Sequence, residues 1–302
     1  MRNEEKYQIE EDEIRILGGG GEEPPRFRRS TLIAAFVAIL LAGAVIAWII
    51  SREQAVYETE PSYFEPEQLT LPVEQTPART VTRLATPVDS LASGFCELRD
   101  TTINDIPLRI YLPQNARLTL HIGRMNKQDT TVIYTAQAAD IRADNGKIVG
   151  AFVLQGTPRA WGLSKRGFCA IINDEITIGV ADNSPLFEEA TEKGGYFFRQ
   201  YPLVDNGMLV ENNPKNKAVR RAICDRIGEI FMVESLQPES FHDFAQALVD
   251  LGVDHAVYLV GGNAYGWAVD QAGTRHEFGD DNYYTGRRRM PRNTSYIVWR
   301  KK

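Results

Sequence analysis

Between residues 239 and 267 the spacing of apolar positions changes from helical to strand-like and then breaks at two glycines. Apolar residues recur every three or four positions over 241–249, behind a serine that is followed three places later by an acid, the capping-box form of a helix start. The next apolar run, 255–260, has the length of one buried strand. It ends at Gly261-Gly262-Asn263, where the lack of side chains lets a ligand approach the backbone. We predict that this turn forms the floor of a binding site.

Strand-like alternation fills much of the remaining chain beyond residue 91. The pattern predicts strands at 107–112, 117–122, 130–135, 148–154, 168–172, 176–180, 230–233 and 296–299. Pro113-Gln114-Asn115 and Asn173-Asp174-Glu175 have the composition of hairpin turns, and Asn183-Ser184-Pro185 that of a helix start. Since strands outnumber helices and arrive in hairpin runs, we expect an α+β fold, with a mixed β-sheet and a few packed helices.

Residues 31–50 contain no charged side chain. At about 1.5 Å per residue this stretch would span roughly 30 Å, the thickness of the hydrocarbon core of a bilayer. We predict one transmembrane helix at 30–50, in preference to a buried core helix or a cleaved signal peptide. Arg26, Arg28 and Arg29 precede it, so the positive-inside rule places the N-terminus in the cytoplasm. The expected location is the bacterial inner membrane, crossed once, with the C-terminal domain in the periplasm.

The segments on either side of residues 30–50 have the composition of unfolded chain. Residues 1–29 are acidic and rich in glycine and proline, which predicts a disordered cytoplasmic tail or, alternatively, a short partner-binding segment at 7–17. Residues 51–90 space five prolines among polar residues and are expected to form a semi-stiff linker. The folded domain then occupies 91–302.

Charge and cysteine content exclude several function classes. The formal net charge of −6 argues against nucleic-acid binding as the main role. The cysteines, Cys96, Cys169 and Cys224, have no CxxC spacing, and the four histidines are scattered. We therefore expect neither a metal site nor a cofactor. One disulfide or three small buried thiols are both compatible with this count.

Four blocks of sequence, in order, resemble the phosphodiester glycosidase family over about residues 149–270. They are Val149-Gly150-Ala151-Phe152, Gln200-Tyr201-Pro202-Leu203-Val204, Arg220-Arg221-Ala222, and Leu251 to Leu259 with the diglycine that follows. Members of that family, some of them bacterial and periplasmic, remove a sugar from a phosphodiester. The resemblance implies a domain of that fold and a sugar-phosphate or envelope glycan as the ligand.

Two positions depart from the family pattern. Val260 stands where the family usually has an aspartate before the diglycine, and Val149 stands where it usually has an asparagine. Both changes replace a polar group with an isopropyl group, which can pack but cannot move a proton or hold a hydroxyl.

The candidate catalytic residues are Arg221, Arg220 and Asp205. A guanidinium can bind two oxygens of a phosphodiester at once, although a surface salt bridge is the alternative for either arginine. Asp205 lies in an Asp-Asn-Gly turn and could replace the acid missing at position 260. Glycoside hydrolysis normally uses a pair of carboxyl groups.

The candidate substrate-binding residues are Gly261, Gly262, Asn263, Gln200 and Tyr196. The diglycine could present backbone N–H groups to phosphate or sugar oxygens, and Asn263 and Gln200 can both donate to and accept from hydroxyls. Tyr196 could stack on a sugar ring, although aromatic runs of this kind are commonly core. The sequence thus predicts a membrane-anchored envelope protein that hydrolyses a sugar-phosphate diester or, as the alternative, a catalytically degenerate module that binds a glycan or a protein.

Overall fold

Antiparallel pairing dominates the computed structural model of the chain, which describes residues 83–86, 88–89, 91–281 and 290–302. Within those ranges there are seventeen strands and two helices, and every pair of named strands runs antiparallel. The predicted α+β fold with a mixed sheet is therefore wrong, and the described part of the chain is mainly β. Parallel neighbours need crossovers of about a dozen residues or more, whereas several strands here pair with the next strand in the chain across a two-residue turn.

The predicted transmembrane helix gains no support from the structure. No helix in the described ranges is long and apolar enough to cross a membrane. Residues 30–50 lie outside those ranges, as do the predicted tail at 1–29 and most of the predicted linker at 51–90. The inner-membrane location stays a prediction from the sequence.

The strands and helices have the following bounds. The strands are β1 (Phe95–Ile103), β2 (Ile106–Gln114), β3 (Ala116–Ile122), β4 (Val132–Gln137), β5 (Ala151–Leu154), β6 (Thr157–Trp161), β7 (Gly167–Ile172), β8 (Glu175–Val180), β9 (Tyr196–Gln200), β10 (Pro202–Asp205), β11 (Met208–Leu209), β12 (Arg221–Arg226), β13 (Glu229–Ser235), β14 (His255–Leu259), β15 (Gly266–Val269), β16 (Arg275–Phe278) and β17 (Ser295–Lys301). The helices are α1 (Leu186–Glu192) and α2 (Phe241–Asp250).

These strands form three sheets in the described ranges. The first has the order β1-β2-β13-β12-β14-β10-β11, the second β16-β15-β4-β17-β3, and the third β6-β5-β9-β7-β8. Buried side chains from all three sheets meet in one core, among them Tyr111, Ile223, Ile297, Phe152 and Phe198. Removal of this apolar surface from water is the main force that holds the sheets together.

Each helix covers the face of a sheet that points away from the shared core. Phe241, Phe244 and Leu248 of α2 pack on residues of β2, β12 and β13 in the first sheet. The predicted capping box of α2 is confirmed, since the Ser240 hydroxyl accepts from the Asp243 N–H at 3.0 Å and donates to the Asp243 carboxylate at 2.7 Å. Helix α1 packs in the same way against the third sheet.

One predicted hairpin is a crossing between sheets instead. Pro113 and Gln114 are the last two residues of β2, and Asn115 alone separates β2 from β3, but β2 belongs to the first sheet and β3 to the second. The chain turns the corner at Asn115, which has a φ of 49°. The hairpin predicted at Asn173-Asp174 is confirmed, since β7 and β8 pair on either side of it.

Candidate functional site

Strand β14 carries the chain to the predicted diglycine turn, whose N–H groups are used inside the protein. The Gly261 N–H donates to the Tyr258 hydroxyl at 3.0 Å, and the Gly262 N–H donates to the Val219 carbonyl at 2.8 Å. A Cβ atom on Gly261 would lie 2.0 Å from the Val219 carbonyl oxygen, so only glycine fits there. The turn is held tightly against the chain that precedes β12, and these two N–H groups are not available to a ligand.

Arg221 holds the same turn from the side of the core. Its side chain is almost completely buried, and its guanidinium donates to the carbonyls of Val260 at 3.2 Å and Ala264 at 3.0 Å. The charge is balanced by Glu234, whose Oε1 atom accepts from Nε at 2.9 Å and Nη2 at 2.7 Å. Tyr111 donates its hydroxyl to the second oxygen of Glu234 at 2.6 Å. Every acceptor of this buried arginine therefore belongs to the protein.

Arg220 points to the opposite side of the first sheet, as expected for the neighbour of a residue that faces the core. Its Nε donates to the Glu239 carbonyl at 2.9 Å, and a further donor contacts the Asn216 carbonyl. The guanidinium lies 4.1 Å from the centre of the Phe241 ring at the start of α2. Arg220 thus connects the sheet to α2 and lies away from the turn.

An open cleft of about 390 Å³ lies beside the diglycine turn. Its walls come from the turn and from the chain that follows β4, and its lining consists of Gln137, Asp140, Ile141, Val260, Gly261, Gly262, Asn263 and Ala264. The Val260 N–H donates to the Gln137 carbonyl at 2.9 Å and so joins the two walls. This volume lies within the range of small-ligand sites, roughly 300–1,000 Å³.

Asp140 is the single carboxylate among the described residues that line this cleft, and Lys165 neutralises it from behind. The Lys165 ammonium donates to Asp140 Oδ2 and, at 2.7 Å, to Gln200 Oε1, and it lies 4.2 Å from the centre of the Tyr201 ring. Only 8% of the Lys165 side chain is exposed, against 34% for Asp140. Burial lowers the pKa of Lys165, and the negative charge of Asp140 opposes that shift.

The two positions that depart from the family pattern both border Asp140. Val260 lines the cleft together with Asp140, and the Val149 N–H donates to the Asp140 carbonyl at 2.9 Å. Val260 thus places an isopropyl group in the cleft, and Val149 is joined to Asp140 through the backbone.

The structure brings together some of the sequence-predicted residues and separates others. Gly261, Gly262 and Asn263 line the cleft, while Gln200 is buried behind it as the partner of Lys165. Tyr196 lies at a different depression of about 350 Å³, beside Lys193 and Gly195.

Asp205 also lies far from the cleft, near the opposite end of β14. Its carboxylate is 3.3 Å from His255 Nδ1, at the first residue of that strand. Five residues of extended chain separate His255 from Val260, a length of roughly 17 Å. Asp205 and the diglycine turn therefore belong to different ends of the sheet.

Sequence reasoning missed Asp140 and Lys165. Neither stands in a motif, and they are 25 positions apart in the chain. One weak signal exists in the sequence, since Asp140 follows the apolar end of a predicted strand. In the structure, Lys165 also has a left-handed backbone, with a φ of 70°. A non-glycine residue in that conformation is often found at a functional site.

The remaining candidate chemistry is limited in the part of the chain that the structure describes. There, no three His, Cys, Asp or Glu side chains are grouped as metal ligands. Cys96, Cys169 and Cys224 are free and buried, so the alternative of small buried thiols is correct and the disulfide is excluded. Burial raises the pKa of Cys169 to about 12, which leaves its thiol unreactive near neutral pH.

Comparison with known proteins shows that the fold is similar to that of solved structures. No family model matches the chain, and no curated protein matches it. Among solved structures, the zebrafish N-acetylglucosamine-1-phosphodiester alpha-N-acetylglucosaminidase catalytic domain, auto-inhibited by its pro-peptide, is similar with a TM-score of 0.50 and 12% identity, over 73% of this chain and 85% of that one. A hypothetical protein from Synechocystis has a TM-score of 0.50 and 13% identity, over 70% of this chain and 62% of that one. The described fold therefore resembles that of a phosphodiester glycosidase catalytic domain.

Proposed function

We propose that this protein binds a carbohydrate in the cleft beside the diglycine turn and does not hydrolyse it. Asp140 and Asn263 supply the polar contacts, and the apolar side chains of Ile141, Val260 and Ala264 contact the ring. A sugar offers hydroxyl groups at its edge and C–H groups on its faces, and this combination of lining residues complements both.

The observation that carries this proposal is the distribution of free and occupied polar groups. The N–H groups of Gly261 and Gly262 and the guanidinium of Arg221 are occupied within the protein. Asn263 is exposed, and its side chain makes no hydrogen bond within the described ranges. Asp140 lines the cleft and uses Oδ2 for Lys165, and its Oδ1 makes no hydrogen bond within the described ranges. An amide and one carboxylate oxygen suit hydroxyl groups.

The same lining argues against hydrolysis by the usual pair of carboxyl groups. Asp140 is the single acid among the described lining residues, and it is paired with a buried ammonium. The position before the diglycine carries the isopropyl group of Val260, which cannot donate or accept a proton. A general acid and a nucleophile, or a general acid and a base, need two carboxyl groups on either side of the bond.

The name of the zebrafish enzyme supplies the sugar to test first, N-acetylglucosamine. An acetamido sugar has an amide as well as hydroxyl groups, so Asn263 could both donate to it and accept from it. This choice rests on likeness of fold, and the cleft chemistry itself supports hydroxyl-rich sugars as a class.

A second candidate is hydrolysis of a sugar phosphodiester. The observation in its favour is the fold, which is similar to a catalytic domain, together with the Lys165 ammonium behind Asp140. A bound phosphodiester would bring a negative charge toward this cation, and Asp140 would then be the acid.

Titration calorimetry with N-acetylglucosamine tests the proposal on the full chain. We expect saturable binding that Asn263→Ala and Asp140→Ala each weaken by about tenfold or more, since each removes a hydrogen bond of roughly 1–3 kcal/mol. Asp205→Asn, at the far end of β14, is the matched control and should leave the affinity unchanged. Absence of binding, or equal loss in Asp205→Asn, would overturn the proposal.

A parallel assay separates the two candidates. Wild-type protein and Asp140→Asn are incubated with the methyl diester of N-acetylglucosamine 1-phosphate, and free sugar is measured. Binding without release supports a binding module, whereas release that Asp140→Asn abolishes favours the hydrolase.

A further inference from the structure

The charge of the cleft beside the diglycine turn comes from one residue. Among the described residues that line it, Asp140 is the single charged side chain, and none is a lysine, an arginine or a histidine. Arg221 lies behind the turn, but its guanidinium donates to Glu234 and to backbone carbonyls. An anionic group in the cleft would therefore meet no free cation in its described lining, and an unpaired charge is costly to remove from water.

The Lys165 ammonium pairs with Asp140 from the protein side. It donates to Asp140 Oδ2 and, at 2.7 Å, to Gln200 Oε1, and it lies 4.2 Å from the centre of the Tyr201 ring. Only 8% of the Lys165 side chain is exposed, against 34% for Asp140. Of this ion pair, the carboxylate is thus the group that a ligand can reach, and its Oδ1 has no hydrogen bond to the described chain.

Gln137 supplies a second acceptor oxygen to the same cleft. It is the last residue of β4, it lines the cleft, and it is only 5% exposed. Its Nε2 donates to the Ala139 carbonyl at 3.2 Å, which fixes the orientation of the amide. Its Oε1 makes no hydrogen bond to any part of the chain that the structure describes. Because a buried side-chain oxygen normally has a donor, this atom is an acceptor that a ligand can use.

Two acceptors and one negative charge suit a ligand group that only donates and is positively charged. A primary ammonium has three N–H donors and no acceptor. It can therefore donate to Asp140 Oδ1 and to Gln137 Oε1 together, and its third N–H can reach the amide oxygen of Asn263. A hydroxyl group has one O–H and can serve only one of these oxygens. Hydrogen bonds that involve ionised groups are also about twice as strong as those between neutral groups.

We propose that the cleft selects an amino sugar with a free ammonium group, in preference to neutral and anionic sugars. The ammonium donates to Asp140 and Gln137 while the sugar ring contacts the apolar lining. This inference rests on the proposed function of the cleft and specifies the charge of its ligand.

Calorimetry of the full chain with two matched pairs of sugars measures this preference. Glucosamine differs from glucose by an ammonium in place of a hydroxyl, and N-acetylglucosamine 1-phosphate differs from N-acetylglucosamine by an anionic group. At about pH 6, where the amine is protonated, we expect glucosamine to bind roughly three- to tenfold more tightly than glucose. The phosphate should bind more weakly than N-acetylglucosamine. Equal affinities for glucosamine and glucose, or tighter binding of the phosphate, would overturn the preference while the cleft remains a sugar site.

Variants of the ion pair test its origin. Asp140→Asn removes the charge and keeps the shape, so the ratio of glucosamine to glucose affinity should fall close to one. Lys165→Met removes the cation behind Asp140 and should raise the same ratio. Asp205→Asn is the matched control, since Asp205 is 35% exposed, as Asp140 is 34%, and lies near the opposite end of β14. It should keep the wild-type ratio. Equal changes in Asp140→Asn and Asp205→Asn, or a lower ratio in Lys165→Met, would contradict the role of Asp140.

Ethanolamine separates failure of the preference from failure of the proposed function. It carries an ammonium without a sugar ring, so we expect it to bind at least about tenfold more weakly than glucosamine, because the apolar lining has no ring to contact. Binding as tight as that of glucosamine would show that the cleft recognises an amine alone, which overturns the amino sugar as its ligand. If no sugar binds, the proposed function fails and this inference fails with it.

Discussion

Arg221 and Glu234 form a buried ion pair directly behind the diglycine turn, with Glu234 Oε1 accepting from Nε at 2.9 Å and from Nη2 at 2.7 Å. The same guanidinium donates to the carbonyls of Val260 and Ala264. The pair therefore connects β12 and β13 to the wall of the cleft. An arginine at this position suggests phosphate binding when only the sequence is known, but in the structure its guanidinium binds backbone carbonyls of the turn.

Removal of one charge from this pair should be costly. We expect Glu234→Gln to lower the free energy of unfolding by about 3–5 kcal/mol, because it leaves the Arg221 cation buried without a counter-ion. Urea denaturation of the two proteins measures the difference. Asp100→Asn is the control: the Asp100–Arg109 pair has equally short contacts in the same sheet but is partly exposed, so its loss should cost about 1 kcal/mol or less. Equal effects of the two variants would contradict this account of the buried pair.

The two glycines of the turn should differ in their tolerance of a methyl group. Gly261→Ala would place Cβ 2.0 Å from the Val219 carbonyl oxygen, so the turn must move and sugar affinity should fall with stability. Gly262 has a φ of 58° but open space around its Cβ position, so Gly262→Ala should cost only about 1 kcal/mol, the strain of the left-handed conformation. Melting temperature and titration with N-acetylglucosamine are measured for both. A milder effect at Gly261 than at Gly262 would show that the close approach to Val219 is incorrect.

Ile227 stands in a conformation that disfavours its side chain. It begins the two-residue turn between β12 and β13 with a φ of 53°, next to Gly228 at 76°. Branched residues rarely adopt this conformation, whereas Asn-Gly is preferred in such hairpins. We expect Ile227→Asn to raise the free energy of unfolding by about 1 kcal/mol.

The hairpin between β10 and β11 offers the reverse experiment. Its turn is Asn206-Gly207, with φ values of 51° and 73° that closely match those of the Ile227 turn. Asn206→Ile should lower stability by a similar amount, about 1 kcal/mol. Urea denaturation checks both, and a loss of stability in Ile227→Asn would contradict the shared turn geometry.

Asp129 should lose its contribution to stability over a narrow range of acid pH. Hydrogen bonds from Thr131, and then the charge and hydrogen bond of Arg300, lower the pKa of Asp129 from 3.8 to about 2. The carboxylate therefore stabilises the fold above pH 4, and this contribution is lost as the pH falls from about 4 to about 2. Asp129→Asn should be less stable than wild type at pH 5, and the difference should shrink toward pH 2. A difference that does not change with pH would contradict the assignment.

Local patterns in the sequence were sufficient for single elements of the fold. The capping box at Ser240, the strand predicted at 255–260 and the turn at Asn173-Asp174 are each encoded by neighbouring residues, and each is confirmed, with the strand ending at Leu259. The fold class was wrong because strand pairing depends on residues far apart in the chain. Pro113-Gln114-Asn115 shows this directly, since a turn composition specifies a change of direction but not which sheet the next strand joins.

The candidate site was predicted in part for the same reason. A missing side chain is visible in sequence, so the diglycine turn was found. The role of Arg221 was not predicted, because the sequence does not distinguish an arginine that faces solvent from one that donates to buried carbonyls. Asp140 and Lys165 become neighbours only when the chain after β4 meets the segment that connects β6 to β7.

The sequence alone determined part of the local structure of this protein: the capped start of α2, the hairpin at Asn173-Asp174, the diglycine turn and strands such as β2, β7 and β14, while β1, β6, β9 and β12 were not predicted. Hydrophobic periodicity, helix capping and turn formation depend on residues a few positions apart, so they can be recognised in the sequence. The tertiary structure decided the antiparallel arrangement, the burial of Arg221 and the pairing of Asp140 with Lys165. These depend on contacts between distant segments, whose free energy comes from burial and charge pairing that appear only once the sheets have packed together.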